Sequence, residues 1–466
     1  MNTKKINSQT FKRLISDAGV AFMGIPAKES LNYMPYGELI RNSLYTKAMD
    51  LLNIEGYQKV VLSDFIDPSS LIEIDKVSKI SSGYMKIENK NLMIAAGHEV
   101  NAYIYIRELL KHYYNVDLPI KIYNFGSVYR TNKNTKFPFN LGERKSFLEC
   151  YAVFKTEKEA EKELDFAINW NRKIIKEMLH IPSVEVLRPV STNKKISKRT
   201  ICIDSITPID ETVITGMTYF HNDIFTKALN VKYKNQVDNR NKLTYSIHFG
   251  LSENILLSYL LNSCDGNKLR LHSFIAPIQV NILNSLDDEN NDIINNIKKC
   301  LKETNISYNI EKIMRKKINS KIIENSKKGI PVTIILKEKN DEIEIYSYHN
   351  NTQELIISTN KDINIDNVID KIKNDLKEND KQITEEMVLR EKESIIYCNN
   401  LNILDEIVKS GKVAKIHLNN TDIGVHQVES YLTGGEILGF GIEKEQGKDI
   451  ITKEKTDTIA FVSRRS

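Results

Sequence analysis

The chain has little of what disulfide-rich and membrane proteins are built from. Its 466 residues include five cysteines, none of them in a CxxC pair: Cys150, Cys202, Cys264, Cys300 and Cys398. This spacing argues against a disulfide framework and a structural zinc site, and it predicts small buried side chains. No run of eighteen residues lacks a charge, and the N-terminus has no continuous apolar block. The sequence therefore predicts neither a membrane span nor a secretory signal, and we expect a cytoplasmic protein.

An excess of one charge is also missing. The 66 lysines and arginines nearly balance the 61 acidic residues, which leaves a formal charge of +5. Such a charge is compatible with RNA binding without requiring it, so local basic segments matter more than the total.

The length predicts two or three domains, each with its own core. The first part of the chain joins helical patterns to strands, and Thr156 with Glu159 has the spacing of a capping box before a long amphipathic helix. Helix and strand patterns then alternate after residue 280, which favours α/β units. We place the domains at 1–270, 271–380 and 381–466.

Residues 124–154 predict a strand, a long loop and a returning strand, with Arg130 at the end of the first strand. A guanidinium fixed there suits a phosphate or carboxylate, because its planar fork donates two parallel hydrogen bonds. The alternative is an ion pair between Arg130 and a nearby acid such as Glu149.

The loop after Arg130 is basic. It carries Lys133, Lys136, Arg144 and Lys145. Phe137 and Phe139 stand among these cations, and aromatic side chains can stack on bases, so the loop is a candidate RNA contact. The alternative is a solvated loop without a partner.

Several segments, in this order, resemble those of the archaeal and eukaryotic type of prolyl-tRNA synthetase. They are MPYGELI, VVLSDFIDPSS, LMIAAGHEV, LPIKIYNFGSVYR, GMTYFHNDIFTKALNVKY, FIAPIQVNIL and the final IAFVSRRS. The resemblance covers residue 34 to the end and places the chain among class II aminoacyl-tRNA synthetases. In that family, Arg130 corresponds to the arginine of motif 2.

The resemblance implies an α/β (α+β) protein. Residues 1–270 would form a catalytic-like domain on an antiparallel sheet, 271–380 an anticodon-binding-like α/β domain, and 381–466 a small C-terminal α/β domain. It also implies a homodimer formed through the catalytic domain, with tRNA and an amino acid, proline or another, as partners. Related C-terminal domains often carry a cysteine zinc site, which this chain lacks, so we expect no metal there despite His417 and His426.

The residues that the family uses on ATP differ here. The motif 2 glutamate is Asn132, and the arginine of motif 3 falls on Glu253, with Asn254 beside it. A carboxylate at Glu253 would repel the triphosphate that the arginine clamps. Loss of a single preorganised donor costs about 10²–10³ in rate.

The residues for the amino acid differ as well. The Arg-Pro-Thr-Ser-Glu segment reads Ala95 to Glu99, so Gly97 replaces the threonine while Glu99 is kept. Where the family has Thr-Ser-His, the chain has Met217, Thr218 and Tyr219.

Two residues of this segment have open interpretations. Glu99 either binds the amino group of an amino acid or similar amine, or caps the helix that begins near Val100. His98 is either a general base or a structural histidine.

Three functions follow from these residues. The first is a paralogue that binds tRNA, an amino acid or an aminoacyl adenylate, with little or no ATP-dependent prolylation. The second is a working proline–tRNA ligase, or a ligase with a non-tRNA acceptor, that uses ATP and Mg²⁺ and needs Arg144 or Lys145 in place of the motif 3 arginine. The third is an interaction module that uses the dimer as a scaffold.

Overall fold

The computed structural model describes residues 6–27, 30–77, 80–112, 116–131, 137–189, 196–286, 291–359 and 363–465. Helices α1 to α12 span Ser8–Asp17, Pro35–Ile54, Ile72–Asp75, Glu99–His112, Glu157–Arg172, Ile224–Ala228, Asn254–Asn262, Asn291–Glu303, Ile318–Lys328, Ile365–Ser394, Leu401–Lys409 and Asp422–Glu429. Short 3₁₀ turns span Pro68–Leu71, Ile80–Gly83 and Arg315–Lys317, and a π-helix spans Lys173–Met178.

The strands are numbered in chain order. β1 to β14 span Ala21–Met23, Leu31–Tyr33, Gln58–Val60, Phe65–Ile66, Met85–Lys86, Met93–Ile94, Ile120–Tyr129, Glu143–Phe154, Ser183–Leu187, Arg199–Ile206, Thr212–Asn222, Lys232–Lys234, Asn241–Leu243 and Tyr245–Leu251. β15 to β27 span Cys264–Asp265, Lys268–Leu269, Val280–Asn284, Tyr308–Lys312, Val332–Lys339, Glu342–His349, Thr352–Thr359, Ile395–Tyr397, Val413–His417, Glu436–Gly441, Gly447–Lys448, Lys455–Thr456 and Ile459–Ser463.

An eleven-stranded sheet organises the chain, in the order β22-β23-β27-β24-β9-β10-β11-β14-β8-β7-β3. Its pairs are antiparallel except β22–β23 and β3–β7. The predicted strand, loop and returning strand are β7 and β8, which pair over most of their length. The predicted mixed α/β class with an antiparallel catalytic-type sheet is confirmed.

Helix α5 covers one face of this sheet. The capping box is present, since the Thr156 side chain accepts from the backbone N–H of Glu159 and the Glu159 side chain accepts from that of Thr156. Leu164, Ala167 and Trp170 are buried in the main core, and Trp170 donates its indole N–H to the carbonyl of Ala48 at 3.2 Å. Trp170 is therefore a core residue of the amphipathic helix.

A second sheet lies in the region predicted to resemble an anticodon-binding domain. Its order is β18-β17-β19-β20-β21, with β17 parallel to both neighbours. Buried residues of α8 and α10 pack on it, among them Ile297, Leu301, Val368 and Ile372.

Helix α10 joins this sheet to the main core. Its first half contributes Ile369 and Leu376 to the five-stranded unit, and its second half contributes Ile383 and Met387 to the core of the large sheet. The predicted boundary between residues 380 and 381 therefore falls inside a continuous helix whose two halves pack into different cores.

The C-terminal unit extends the large sheet. Phe440 and Gly441 of β24 pair with Leu187 and Val186 of β9, so the last strands continue the catalytic-type sheet. Sequence patterns indicated the α/β character of this unit but gave no sign of the shared sheet.

The five cysteines differ in how deeply they are buried. Cys150, Cys202 and Cys398 are buried as predicted, whereas Cys264 and Cys300 are partly exposed. Among the described residues, no helix is long and apolar enough to cross a membrane.

Candidate active site

A cavity opens on the face of the large sheet formed by β8, β11 and β14, beside the first turns of α4 and α7. Its volume is about 680 Å³, which includes the part that is open to solvent. The polar and charged side chains that line it are Glu99, Arg130, Asn140, Arg144, Glu149, Thr215, Tyr219, His248, Ser252 and Asn254. A second depression shares Glu99 and Arg130 with it and includes Gly97.

Arg130 follows β7 and lies at the cavity. Its Nε donates to the carbonyl of Ala96 at 2.7 Å, and its guanidinium carbon lies 4.9 Å from the centre of the Phe147 ring. Among the described residues, no carboxylate lies within 4.0 Å of Arg130, and Glu149 is paired elsewhere. These contacts orient the fork and leave donors for an anion, as the clamp interpretation requires.

Arg144, at the start of β8, lies at the same cavity. Its guanidinium donates to the carbonyl of Leu141 at 3.3 Å and to Oδ1 of Asn140 at 2.9 Å. Burial and the nearby charge of Arg130 lower the pKa of Arg144 to about 9. The side chain is buried, so Arg144 is not at the surface where an RNA contact was predicted.

Glu99 is the first residue of α4 and lines both cavities. Its Oε1 lies 3.7 Å from Nδ1 of His248, a distance that is long for a hydrogen bond. The position at a helix N-terminus and the exposure to a cavity agree with both interpretations of Glu99.

His98 lies beneath the cavity and does not line it. Its Nδ1 is 2.7 Å from Oε2 of Glu149 and its Nε2 is 3.1 Å from Oδ1 of Asp64, while its backbone N–H donates to Oε1 of Glu149 at 3.1 Å. Burial disfavours the charged ring, but the two carboxylates outweigh it and raise the pKa of His98 to about 9. A ring held between two carboxylates positions Glu149, and this arrangement favours the structural interpretation over a general base.

The strand that resembles Thr-Ser-His divides its side chains between the two faces of the sheet. Met217 and Tyr219 line the cavity, whereas Thr218 accepts a hydrogen bond at 3.0 Å from Asn171 of α5, on the opposite face. Alternation along a strand explains the division. Thr218, predicted to bind substrate, is therefore not brought to the cavity.

Glu253 also points away. Its carboxylate accepts from the hydroxyl of Tyr33 at 2.5 Å, from Ser146 Oγ at 3.2 Å and from the backbone N–H of Lys145 at 3.2 Å. Burial raises the pKa of Glu253, and these hydrogen bonds offset part of that rise. The cavity is lined instead by Asn254, so the expected repulsion of a triphosphate by Glu253 inside the cavity does not hold.

Lys145, another of the predicted residues, does not line the cavity. Lys145 pairs with Glu143 at 2.8 Å. Asn132, Lys133 and Lys136 lie outside the described residues.

Sequence analysis missed His248 and Asn140, and it named Glu149 only as a partner for Arg130. A signal was present: Glu149 and His248 are polar residues within strands that are otherwise largely apolar. Buried polar groups need partners, so polar positions within buried strands indicate a site. The face of the sheet on which each side chain lies depends on the register in which the strands pair. The sequence alone does not show this register.

Comparison with known proteins agrees with this architecture. No family model matches the chain. It is 27% identical over 417 residues to the proline–tRNA ligase of Malacoplasma penetrans, covering 85% of this chain and 84% of that one. It is 25% identical over 344 residues to the proline–tRNA ligase of Methanosphaera stadtmanae, covering 70% and 71%.

Solved structures show the same fold. The prolyl-tRNA synthetase of Giardia lamblia in complex with prolyl-adenylate superimposes with a TM-score of 0.87 at 16% identity, covering 98% of each chain. The prolyl-tRNA synthetase of Cryptosporidium parvum complexed with L-proline and AMP gives 0.85 at 16% identity, covering 99% of this chain and 98% of that one. The fold is that of the class II aminoacyl-tRNA synthetases. Within that class, the chain is similar to the proline–tRNA ligases and prolyl-tRNA synthetases named above.

Proposed function

We propose that this chain binds an amino acid or aminoacyl adenylate in the cavity and has little ATP-dependent prolylation activity. The observation that carries the proposal is that Arg130 and Glu99 line one cavity. An aminoacyl adenylate has an anionic phosphate and a cationic amine. A guanidinium with no carboxylate partner among the described residues suits the first, and a carboxylate suits the second.

The relatives support this ligand class. The Giardia lamblia protein was solved with prolyl-adenylate and the Cryptosporidium parvum protein with L-proline and AMP. The fold and the position of Arg130 in β7–β8 carry this ligand class over to the present chain as a proposal.

Weak activation follows from the residues around Arg130. Activation requires the amino-acid carboxylate to attack the α-phosphorus of ATP and release pyrophosphate, so negative charge must be stabilised across the phosphates. Glu253, at the motif 3 position, does not line the cavity, but its neighbour Asn254 does, and the Asn254 amide donates to the carbonyl of Ile214 at 3.0 Å. A neutral amide tied to the backbone supplies no charge to the phosphates.

One observation favours an active ligase instead. Arg144 lies at the same cavity as Arg130, so a second cation is present that could contact phosphate oxygens. If so, Arg144 would do the work of the motif 3 arginine, with ATP and Mg²⁺ as in the family. The carboxylates of Glu99 and Glu149 are the cavity side chains suited to a magnesium ion.

We also propose that the chain binds tRNA through Lys133 and Lys136 and forms a homodimer in the cytoplasm. These statements rest on the resemblance and on the basic composition of the loop.

Calorimetric titration with a non-hydrolysable sulfamoyl analogue of prolyl-adenylate tests the proposed ligand. We expect saturable binding to the wild type and a loss of about 10- to 100-fold in Arg130→Ala, since a hydrogen bond to a charged group contributes roughly 1.5–3 kcal/mol. Arg199→Ala is the matched control, because Arg199 is exposed and pairs with Glu161 at 3.0 Å outside the cavity. Equal affinity of all three proteins, or no binding by the wild type, would contradict the proposal.

A further inference from the structure

Three potential metal ligands meet in the floor of the cavity. One carboxylate oxygen each of Glu99 and Glu149 and one ring nitrogen of His248 lie within 4.8 Å of one another. Glu149 and His248 are buried, and Glu99 is partly exposed at the cavity. Among the described residues, no other group of three histidine, cysteine or acidic side chains is this close.

The large sheet brings two of these ligands together. In the register of β8 and β14, His248 pairs with Tyr151 and Gly250 pairs with Glu149. Residues two apart on a strand share a face, so Glu149 and His248 are diagonal neighbours on the cavity side. Helix α4 supplies Glu99 from its first turn.

The imidazole of His248 is the second and independent indication. His248 is 4% exposed, and its buried Nδ1 has no hydrogen-bond partner in the part of the chain that the structure describes. The nearest carboxylate oxygen, on Glu99, is 3.7 Å away. A buried ring nitrogen without a partner is costly, and a bound cation would satisfy it.

The surrounding groups hold the candidate ligands in place. His248 stacks between the rings of Tyr151 and Tyr219, with centroids 4.7 and 5.5 Å away. Glu149 accepts two hydrogen bonds from His98. One comes from the backbone N–H of His98 at 3.1 Å, and the other from its ring Nδ1 at 2.7 Å. Carboxylates that bind metals are usually oriented by such outer hydrogen bonds.

We propose that Glu99, Glu149 and His248 form a site for a first-row divalent cation such as Zn²⁺. Two carboxylates and one imidazole match the three-ligand pattern in which a fourth position stays open, here toward the cavity. Metal–ligand distances of about 2.0–2.2 Å place ligand atoms roughly 3.4 Å apart. Because the atoms now lie within 4.8 Å of one another, side-chain torsions have to close each separation by at most about 1.4 Å. The imidazole disfavours Mg²⁺, which prefers oxygen ligands.

The cation also balances the local charge. Glu99 and Glu149 bring two negative charges to the cavity, and His98 lies between Glu149 and Asp64. A divalent cation neutralises the pair of ligand carboxylates. The metal site shares Glu99 and the cavity with the proposed adenylate site, but its test is separate, because metal uptake is measured without any nucleotide or amino acid.

The test is titration of the purified, metal-stripped full chain with Zn²⁺ alone, followed by metal analysis. We expect one Zn²⁺ per wild-type chain and an affinity at least about 100-fold lower in Glu99→Gln, Glu149→Gln and His248→Gln, because even outer partners of metal ligands contribute 10- to 100-fold. His426→Gln is the control, since His426 is 73% exposed on α12. No Zn²⁺ uptake, or uptake that survives all three substitutions, overturns the site.

A variant could lose the metal only because it unfolds. A second test therefore uses a spectroscopic signal that appears when the metal binds. With Co²⁺ as the probe, His248→Cys should add a sulfur-to-cobalt charge-transfer band that the wild type and His426→Gln lack. Fluorescence of Trp170, the single tryptophan, reports whether each variant is folded. A folded His248→Cys protein that binds Co²⁺ without this band overturns the assignment, and an unfolded one leaves the decision to the two glutamate variants.

Discussion

Nδ1 of His98 lies 2.7 Å from Oε2 of Glu149; both side chains are buried, with Glu149 lining the cavity and His98 beneath it. Burial alone would favour the neutral forms, but the hydrogen bond and mutual charge lower the pKa of Glu149 and raise the pKa of His98 to about 9. At neutral pH, His98 and Glu149 therefore form a buried ion pair at the floor of the cavity.

This pair makes stability depend on pH in a defined direction. The folded pKa of His98 exceeds its unfolded value of about 6.5, so its contribution is complete below pH 6.5 and is lost as pH rises through about 9. The loss amounts to roughly 3 kcal/mol, since one pKa unit is about 1.4 kcal/mol.

Urea unfolding of wild type and His98→Gln, followed by Trp170 fluorescence, measures this contribution. The difference in the free energy of unfolding should shrink from pH 6.5 to pH 9.5. His426→Gln, at an exposed position, should show no such trend. A wild-type advantage that is the same at both pH values would refute the assignment of the charged pair.

Another buried pair lies where the C-terminal strands join the large sheet. Arg188 donates to both carboxylate oxygens of Asp204, at 2.7 and 2.8 Å, and also to the carbonyl of Leu438 in β24. Arg188→Met should destabilise the chain by about 3–5 kcal/mol, because it leaves a buried carboxylate unpaired. The double variant Arg188→Met, Asp204→Leu should recover much of that loss.

The partly exposed pair of Arg172 and Glu185 is the comparison, since Arg172→Met should cost about 0–1 kcal/mol. Hydrogen exchange of the backbone amides of β24 reports whether the pairing between β24 and β9 opens. Equal protection of β24 in wild type and Arg188→Met would show that Arg188 does not hold the C-terminal unit to the sheet.

We expect an arginine introduced at Asn254 and an arginine introduced at Glu253 to have different effects on ATP–pyrophosphate exchange. Asn254 lines the cavity, whereas Glu253 is fully buried against Tyr33 and Ser146. Asn254→Arg should raise the rate of ATP–pyrophosphate exchange by at least about tenfold, since one well-placed donor is worth 10²–10³.

Glu253→Arg should leave exchange unchanged or unfold the protein, because it replaces a hydrogen-bonded carboxylate with a buried cation. A rise in exchange in a folded Glu253→Arg protein, with none in Asn254→Arg, would show that Glu253 is the functional position.

The sequence predicted the fold well and the site in part. The order of segments predicted the antiparallel sheet and placed Arg130 and Glu99, which do meet at one cavity. It could not show which side chains of a strand face that cavity, so Thr218 and Glu253 were expected there and His248 was not. It also gave no sign that β24 pairs with β9, because strand pairing between distant segments leaves no local pattern.

The salt dependence of tRNA binding should distinguish the role of the loop lysines from that of Arg144. Replacing Lys133 and Lys136 by Gln should reduce the slope of log affinity for tRNA against log salt by about 1.5, since each phosphate contact contributes about 0.7–0.9. Arg144→Gln should leave the slope unchanged, because that guanidinium is buried at the cavity. A reduced slope in Arg144→Gln alone would place the RNA contact at the cavity instead.

Proline-dependent ATP–pyrophosphate exchange by the wild-type chain tests the central claim most directly. A chain that binds the adenylate but activates poorly should exchange at least about 100-fold more slowly than a working proline–tRNA ligase assayed beside it, as expected from the loss of one preorganised donor. Exchange at the rate of the working enzyme would contradict the account and would assign the second cation of the site to Arg144.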